Sequence, residues 1–434
     1  MSYTLGVFIA DTSSLKNRGF MFGYVNSPYI FTVWIAGPLS EAFLTGIGWR
    51  WFYGIFTIIT FLAALPLLWL FLWNYRKAVN TGIITPTKSN RTLLESIKFY
   101  AIEFDVGGLV LIMGGLVFFL LPFSLYAYQK DQWHSPLVLC FWIIGILMLV
   151  GFALYEKYLA PKTFIPYHLF MNRTVVGANV LAATLFISFY LWNAYFLSFL
   201  QVVNGLSLRD ATYVTNIYTV GSCLFSVIVG ILIRCKSSVS HTSRTYANLV
   251  PPDTGRFKWI AIYFGLPVAM LGVGLMIHFR QPTQYIAGVI ICQILIAFSG
   301  GALVITEQIA VMASTDHQYL AVILAIEGMM SSIGGGIGSS IASTIWTGVF
   351  PVKLIEYLPE EAKGSFAEIY AGLDVQLSYP RGTPTRMAIA RAYSDAQRYM
   401  CTAATAVLAI GIVAILLWKD IRVSDFKQTK GRVV

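Results

Sequence analysis

Charge is what this sequence has least of. Asp, Glu, Lys and Arg make up 12% of its 434 residues, about half the share of an ordinary soluble chain, which is roughly 25%. Its five histidines (His134, His168, His241, His278, His317) lie far apart, so no i, i+4 pair is available to hold a metal. Five cysteines (Cys140, Cys223, Cys235, Cys292, Cys401) show no C-x-x-C spacing and read as small apolar packing residues. There is no D-x-D pair and no Walker P-loop, which excludes a self-contained ATP-driven pump. The Gly334–Gly338 run is not a nucleotide fingerprint, because no strand precedes it. It reads as close helix packing through Ser331, Gly334, Gly335, Gly338 and Ser339, with a flexing point as the alternative. The ten-residue alternation of a transmembrane β-barrel is also missing. The opening apolar stretch, Tyr3 to Ala10, has no basic region before it and no small-residue cleavage site after it, so it is not read as a signal peptide.

What is abundant is apolar surface, 57% of the chain. A bilayer core of roughly 30 Å takes about 20 apolar residues per helix. Ten such segments are present, at 19–39, 51–73, 106–128, 136–155, 175–200, 211–234, 259–279, 284–306, 320–349 and 399–418. Gly and Pro inside several of them suit membrane helices better than soluble ones. The fold class expected is an all-α polytopic membrane protein. Clustered acids or ligands for chemistry are lacking, so a carrier or channel is expected rather than an enzyme, with no cofactor and no metal.

Alternation across ten spans puts 20 of the 30 Lys and Arg residues on one side, which we call the basic side. It holds Lys16, Arg18 and the C-terminal tail. The other side has ten, six of them in one long loop at 350–398. By the positive-inside rule the opening turn and both termini are expected in the cytoplasm. The net charge of +10 then faces anionic lipid. Charges spread in this way do not suit nucleic acid.

Ionisable and polar side chains within apolar spans are functional candidates, because they are costly there. Glu327, inside AVILAIEGMMSSIGGG, is a proton-carrier candidate; a carboxyl held by helix-packing hydrogen bonds is the alternative. Glu307 and Gln308 end the eighth segment, where an interface would also solvate them. Asp105 precedes the third segment as a helix cap. In FISFYLWNAYFLSFLQ, Tyr190, Asn193 and Ser198 fall near one helical face, with Trp192 and Tyr195 beside them as path or interfacial-belt residues. The sixth segment adds Tyr213, Asn216 and Tyr218.

Several stretches in order then carry a resemblance. They are IADTSSLKNRG, WIAGPLSEAF with GWRWFYGIF, YLWNAYFLSFLQVVNGLSLRDATYVTNIY, TGRFKWIAIYFG, GGALVITEQIAVMASTDHQYLAV, SSIGGGIGSSIASTIWTGVFP, QLSYPRGTP, AYSDAQRYM and WKDIRVSDFKQTKGRVV. The sequence resembles the fungal siderophore–iron transporters, fourteen-span members of the major facilitator superfamily, over essentially its whole length. The resemblance implies two six-helix bundles with two extra helices between them. It implies import of ferric siderophores, with proton symport, across a plasma membrane or an endosomal or vesicular membrane. Asp11 and Arg18 match the family's motif turn. Residues 1–75 correspond to a partial N-terminal bundle, 76–174 to a linker and the inserted pair, and 175–434 to a complete C-terminal bundle. The long loop 350–398 is then expected to be a structured outer cap, with Tyr370, Tyr379, Arg381 and Tyr393 as candidates; a membrane-surface helix pair is the alternative.

Three departures accompany the resemblance. The family's first three helices and most of its fourth are missing, so an N-terminally truncated member is expected. Tyr3–Ala10 reaches only about 12 Å at 1.5 Å per residue. The polar inner loop 235–254 interrupts a short family connection, as a disordered insert or a retained intron. Asn193 stands where the family is associated with an acid. A drug:proton antiporter, suggested by AGPLSEAF, and a non-transporting remnant are the alternative functions.

Overall fold

The computed structural model describes residues 2–83, 85, 91–161, 167–234 and 256–423. The insert 235–254, with Cys235 and His241, lies outside the described residues, as do Lys88, Lys162, Lys427, Lys430 and Arg432. Among the described residues the chain is helical, apart from an isolated bridge between Arg256 and Arg422.

Apolar runs become helices because in lipid each backbone N–H and C=O must be paired within its own segment. The helices in the first half are α1 (Ser2–Thr12), α2 (Leu15–Asn26), α3 (Tyr29–Thr45), α4 (Trp49–Asn80), α5 (Leu93–Glu103), α6 (Val106–Leu120), α7 (Pro122–Leu125) and α8 (Pro136–Tyr158). Then come α9 (Tyr167–Phe170), α10 (Arg173–Asn193), α11 (Phe196–Val202), α12 (Leu208–Arg234), α13 (Leu266–Phe279), α14 (Ile286–Ala313) and α15 (Leu320–Tyr357). The last four are α16 (Glu360–Lys363), α17 (Phe366–Ala371), α18 (Leu373–Ser378) and α19 (Pro384–Leu416). A wide turn, Ile260–Gly265, leads into α13, because Pro267 has no N–H to continue the ordinary ladder.

Nine stretches among the described residues are long and apolar enough to cross a membrane. The segment expected at 19–39 is not one of them. Pro28 lacks a donor and breaks it into α2 and α3, of 12 and 17 residues. The eighth segment runs beyond its expected end at 306, since α14 continues to Ala313. The fifth is interrupted: α10 stops at Asn193, Tyr195 takes a left-handed φ of 55°, and α11 restarts at Phe196. Tyr190, Asn193 and Ser198 therefore do not share one continuous helical face. Pro384 opens α19, with Thr383 accepting from the Arg386 N–H.

Six helices, α10, α12, α13, α14, α15 and α19, pack against one another around the buried core. The small residues set how closely they approach. A Cβ on Gly334 would stand 2.4 Å from the Ala183 carbonyl oxygen, and one on Gly338 2.7 Å from that of Ile187. The glycine run is thus the contact of α15 with α10. Helices α2 and α3 lie along α12, where Gly230 meets the Phe20 backbone. Helix α1 lies along α15, and the α6–α8 hairpin reaches α15 through α7. There Thr344 donates to the Phe123 carbonyl (2.9 Å) and Tyr126 to that of Thr344 (3.2 Å).

Two ends can be told apart by their contacts. At one, Asn172 donates to the Ser314 carbonyl (3.0 Å), the Lys419 N–H to Thr174 Oγ1 (2.9 Å) and Lys258 to the Trp418 carbonyl (2.5 Å). Arg256 pairs there with Asp420. At the opposite end, Arg386 donates to the carbonyls of Val202 (3.1 Å), Gln201 (3.2 Å) and Gln376, tying α19 to α11 and α18.

Candidate functional site

Helices α1, α2, α10, α14 and α15 line an open-sided cavity of about 810 Å³. Its polar lining comes from Tyr3, Tyr190, Glu307, Gln308, Glu327, Ser331, Ser332 and Ser339, and its apolar lining includes Phe22, Phe186, Val304 and Leu324. No Lys, Arg or His is among these residues. Tyr190, Glu307, Gln308 and Glu327, drawn from three different spans, are brought together here.

Glu307 lies six residues before the end of α14 and Glu327 seven after the start of α15, about 10 Å from those ends at 1.5 Å per residue. The two carboxyls are therefore level with each other. Glu307 is 1% exposed and Glu327 5%. They are near enough to feel each other's charge. Glu307 is not solvated at a helix end; it is buried, and among the described residues its Oε2 has no hydrogen-bond partner. Gly335 leaves room for the Tyr190 ring, whose edge lies 2.8 Å from where a Cβ would stand.

A recess of about 290 Å³ adjoins the cavity, sharing Tyr190 and Ser339 as walls. Asn193, Ala194 and Tyr195 line it, so the break in α10–α11 opens onto it. The Tyr195 ring stacks on Trp346 of α15 at 4.1 Å, and Trp346 stacks on Phe350 at 4.2 Å. Trp192 points the other way and is buried at 2% exposure, a core residue and not an interfacial one.

Tyr213 and Asn216 are not part of this space. They line a separate cleft of about 270 Å³ with Val33 and Trp34, between α3, α12 and α14. Arg209 Nε donates to the Tyr213 hydroxyl at 3.3 Å. At the motif turn, buried Arg18 donates to the carbonyls of Ala10 (2.7 Å) and Ser13 (3.2 Å), fixing the α1–α2 connection. Asp11 meets His317 Nε2 at 3.7 Å, joining that turn to the start of α15.

The 358–383 segment is structured. Tyr370 stacks on Phe366, with Phe350 6.0 Å away. Burial pushes the Tyr370 phenol above its ordinary range, and Tyr128 and Tyr126 add to this. Tyr393 is buried and donates to Gln376 Oε1 at 2.8 Å. Tyr379 is partly buried against the core, and Arg381 lies over Gly205. These four brace the opposite end and do not line the cavity.

Sequence reasoning missed the α1–α2 wall (Tyr3, Gly6, Phe22), and also Trp346, Arg280, Gln376, Arg386 and Gln397. An arginine near a span end reads as interfacial, and nothing in the local sequence marks Arg280 or Arg386 as buried.

The chain is similar to known proteins throughout. A family model described as Major Facilitator Superfamily matches residues 3–206. "MFS siderochrome iron transporter 1" of Ajellomyces capsulatus is 55% identical over 434 residues, covering 100% of this chain and 71% of that protein. "Siderophore iron transporter mirB" of Emericella nidulans is 39% identical, covering 100% of this chain and 69% of that protein. "MFS siderochrome iron transporter D" of Aspergillus fumigatus is 40% identical over 430 residues, covering 99% and 68%. The chain belongs to the fungal siderochrome iron transporters of the major facilitator superfamily, and it is an integral membrane protein of all-α fold.

Proposed function

We propose that the protein carries ferric siderophores across a membrane and that proton movement drives the import. One observation carries this reading: a single membrane-embedded cavity joins two buried carboxyls, Glu307 and Glu327, to Tyr190, Gln308 and three serines without any cationic residue. Hydroxyl and amide groups suit a polar chelate, and the names of the relatives supply the class, siderophore-bound iron. A buried carboxylate with no cation beside it is costly, and a proton or a cationic group of the cargo removes that charge. With no such group among the protein's lining residues, we assign proton coupling to Glu327 and Glu307.

In this reading the C-terminal bundle is 175–434, the linker and inserted pair 76–174, and 1–75 part of the N-terminal bundle. Both termini are cytoplasmic and the membrane is the plasma membrane or an endosomal or vesicular one. The Asp11–Arg18 turn organises the inner end, and Tyr370, Tyr379, Arg381 and Tyr393 belong to an outer cap. Tyr213 and Asn216 sit beside the path, in the cleft between α3 and α12.

The test is uptake of radiolabelled ferric siderophore by cells lacking other carriers. Uptake above empty vector, collapsing with a protonophore, is expected. No gain over empty vector overturns the transport reading, and resistance to cationic drugs without uptake points to an antiporter instead.

A further inference from the structure

The α10–α11 break is held from behind by an arginine that nothing described so far explains. Arg280 follows α13 directly, and its guanidinium is fully buried. One nitrogen, Nη1, donates to the Trp192 carbonyl at 2.6 Å and to Oε1 of Gln397. The other, Nη2, sits 3.1 Å from the Met276 sulfur, and the Phe196 ring lies under the guanidinium at 4.2 Å. The Gln397 amide nitrogen donates in turn to the Ala194 carbonyl at 2.9 Å. Among the described residues no carboxylate pairs with Arg280.

Where a helix stops, its last carbonyls lose their partners and need donors from elsewhere. Trp192 and Ala194 stand on either side of Asn193, at the point where α10 stops. Their carbonyls are met by α13 and α19, the two helices behind the break. In front, Tyr195 stacks on Trp346 and, with Asn193, lines the recess that adjoins the cavity. A buried, unpaired arginine is costly, and apolar side chains of its size would fill the same volume more stably. Its distinctive property is a rigid planar head: the two N–H groups of Nη1 reach the Trp192 carbonyl and the Gln397 amide oxygen at fixed angles while the flat guanidinium rests on the Phe196 ring. The rounded Lys ammonium has no such plane to fix the direction of its bonds.

We propose that Arg280, with Gln397, is the pin of a hinge at Ala194–Tyr195, and that it positions Asn193 and Tyr195 in the transport path. It is a positioning residue and acts through the Trp192 and Ala194 carbonyls without touching the cargo. Because its partners are neutral, the pin holds the break and still releases when α11 swings relative to α10. This rests on the reading of the recess as part of the path.

The experiment uses the full chain in membranes, with Asn193→Cys as a reporter and the unsubstituted chain as the background for its own cysteines. A membrane-impermeant maleimide is applied to each. Arg280→Lys is expected to raise the labelling rate at Asn193→Cys by about 5- to 10-fold, and Gln397→Leu, which removes the donor to the Ala194 carbonyl, to raise it by a similar factor. In the chain without the reporter, Arg280→Lys is expected to raise the uptake KM by about tenfold at equal membrane abundance, since displaced contacts weaken binding. A merely structural role would lower abundance and leave KM per copy unchanged. Should Asn193→Cys fail to reach the membrane, Ser343→Cys on the facing wall of the recess serves as the reporter. Labelling and KM both unmoved by Arg280→Lys would overturn the hinge. Failure of the transport reading shows separately, as no uptake by the unsubstituted chain while the labelling difference persists.

Discussion

Helices α4 and α14 look alike as sequence and differ in almost everything else. Both are long and strongly apolar, and each would cross a bilayer. Helix α4 buries no residue, whereas α14 is buried along most of its length. Their polar side chains differ in the same way. In α4, Thr57, Thr60 and Asn74 each donate back to a carbonyl of their own helix, at Tyr53 (2.8 Å), Phe56 (2.7 Å) and Leu70 (2.9 Å). In α14, Ser299 and Thr306 do likewise, but Glu307 Oε2 and both polar atoms of Gln293 have no partner among the described residues. A polar group satisfied by its own helix is tolerated anywhere in a membrane. One left without a partner in a buried position calls for a function. Polarity within a span is therefore a weak pointer to the site, and unmet polarity facing a cavity is a strong one.

The largest effect should come from removing the packing that places α15 against α10. Gly334→Leu pushes a side chain into the Ala183 carbonyl, where even a Cβ has no room. Overpacking a helix contact costs about 3 kcal/mol at the upper end, so this variant should lose most folded protein, read as membrane abundance and thermal stability in detergent. The same exchange at Gly54 of α4, where nothing lies within 4 Å of a built Cβ, should leave abundance unchanged.

Next comes the chemistry of the unmet groups. Glu327→Gln keeps the shape and removes the proton site, so net uptake should fall by about a hundredfold or more, in the range typical of a lost proton-transfer group. Uptake by the unsubstituted chain should rise as external pH falls, and this variant should flatten that profile. Glu307→Gln should act on the same profile, because the two carboxyls line the same cavity. Combining them should give less than the sum of the two effects, as expected of coupled neighbours.

How much of this was legible follows from what periodicity reports. The spans were readable because lipid demands long apolar helices, and the close contact of the Gly334–Gly338 run was readable because small residues at that spacing allow backbones to meet. The break before α11 was not, since LWNAYFL contains no Gly or Pro and its interruption depends on donors from Arg280 and Gln397, far away in sequence. Pro28 did announce a break, which the apolar count over 19–39 passed over. Glu307 and Gln308 lowered the hydropathy enough to suggest the end of a span, whereas they line the cavity and α14 continues unbroken to Ala313, its apolar run taken up again at Ile309. Tyr213 and Asn216 stand out in the sequence as polar groups within a span, but which neighbour they meet is set by tertiary packing, and they meet α3 and α14.

A smaller effect is expected at Tyr195. Its ring stack on Trp346 is the contact between the break and α15. An aromatic pair is worth about 1 kcal/mol beyond burial, so Tyr195→Leu should cost roughly fivefold in uptake KM with abundance preserved, and Tyr195→Phe should restore it. If Phe does not restore it, the hydroxyl matters more than the stack.

The smallest effect returns to the opening contrast. Thr57→Val in α4 removes a hydroxyl that donates to its own helix, at an exposed position among the described residues. Valine is nearly isosteric and equally suited to lipid, and surface changes away from special features stay within about 0.5 kcal/mol. Abundance, thermal stability and uptake should all match the parent. Gln293→Leu in α14 is the paired test, because it removes a polar group that is buried with neither atom bonded. Replacing an unsatisfied amide by a hydrocarbon of similar size should stabilise the bundle in detergent by about 1 kcal/mol. If that substitution instead abolishes uptake at unchanged abundance, Gln293 joins Glu307 among the groups of α14 held unmet for the transport cycle. Indifference at Thr57 together with a response at Gln293 would show that what distinguishes the two helices is whether a polar group finds its partner at home.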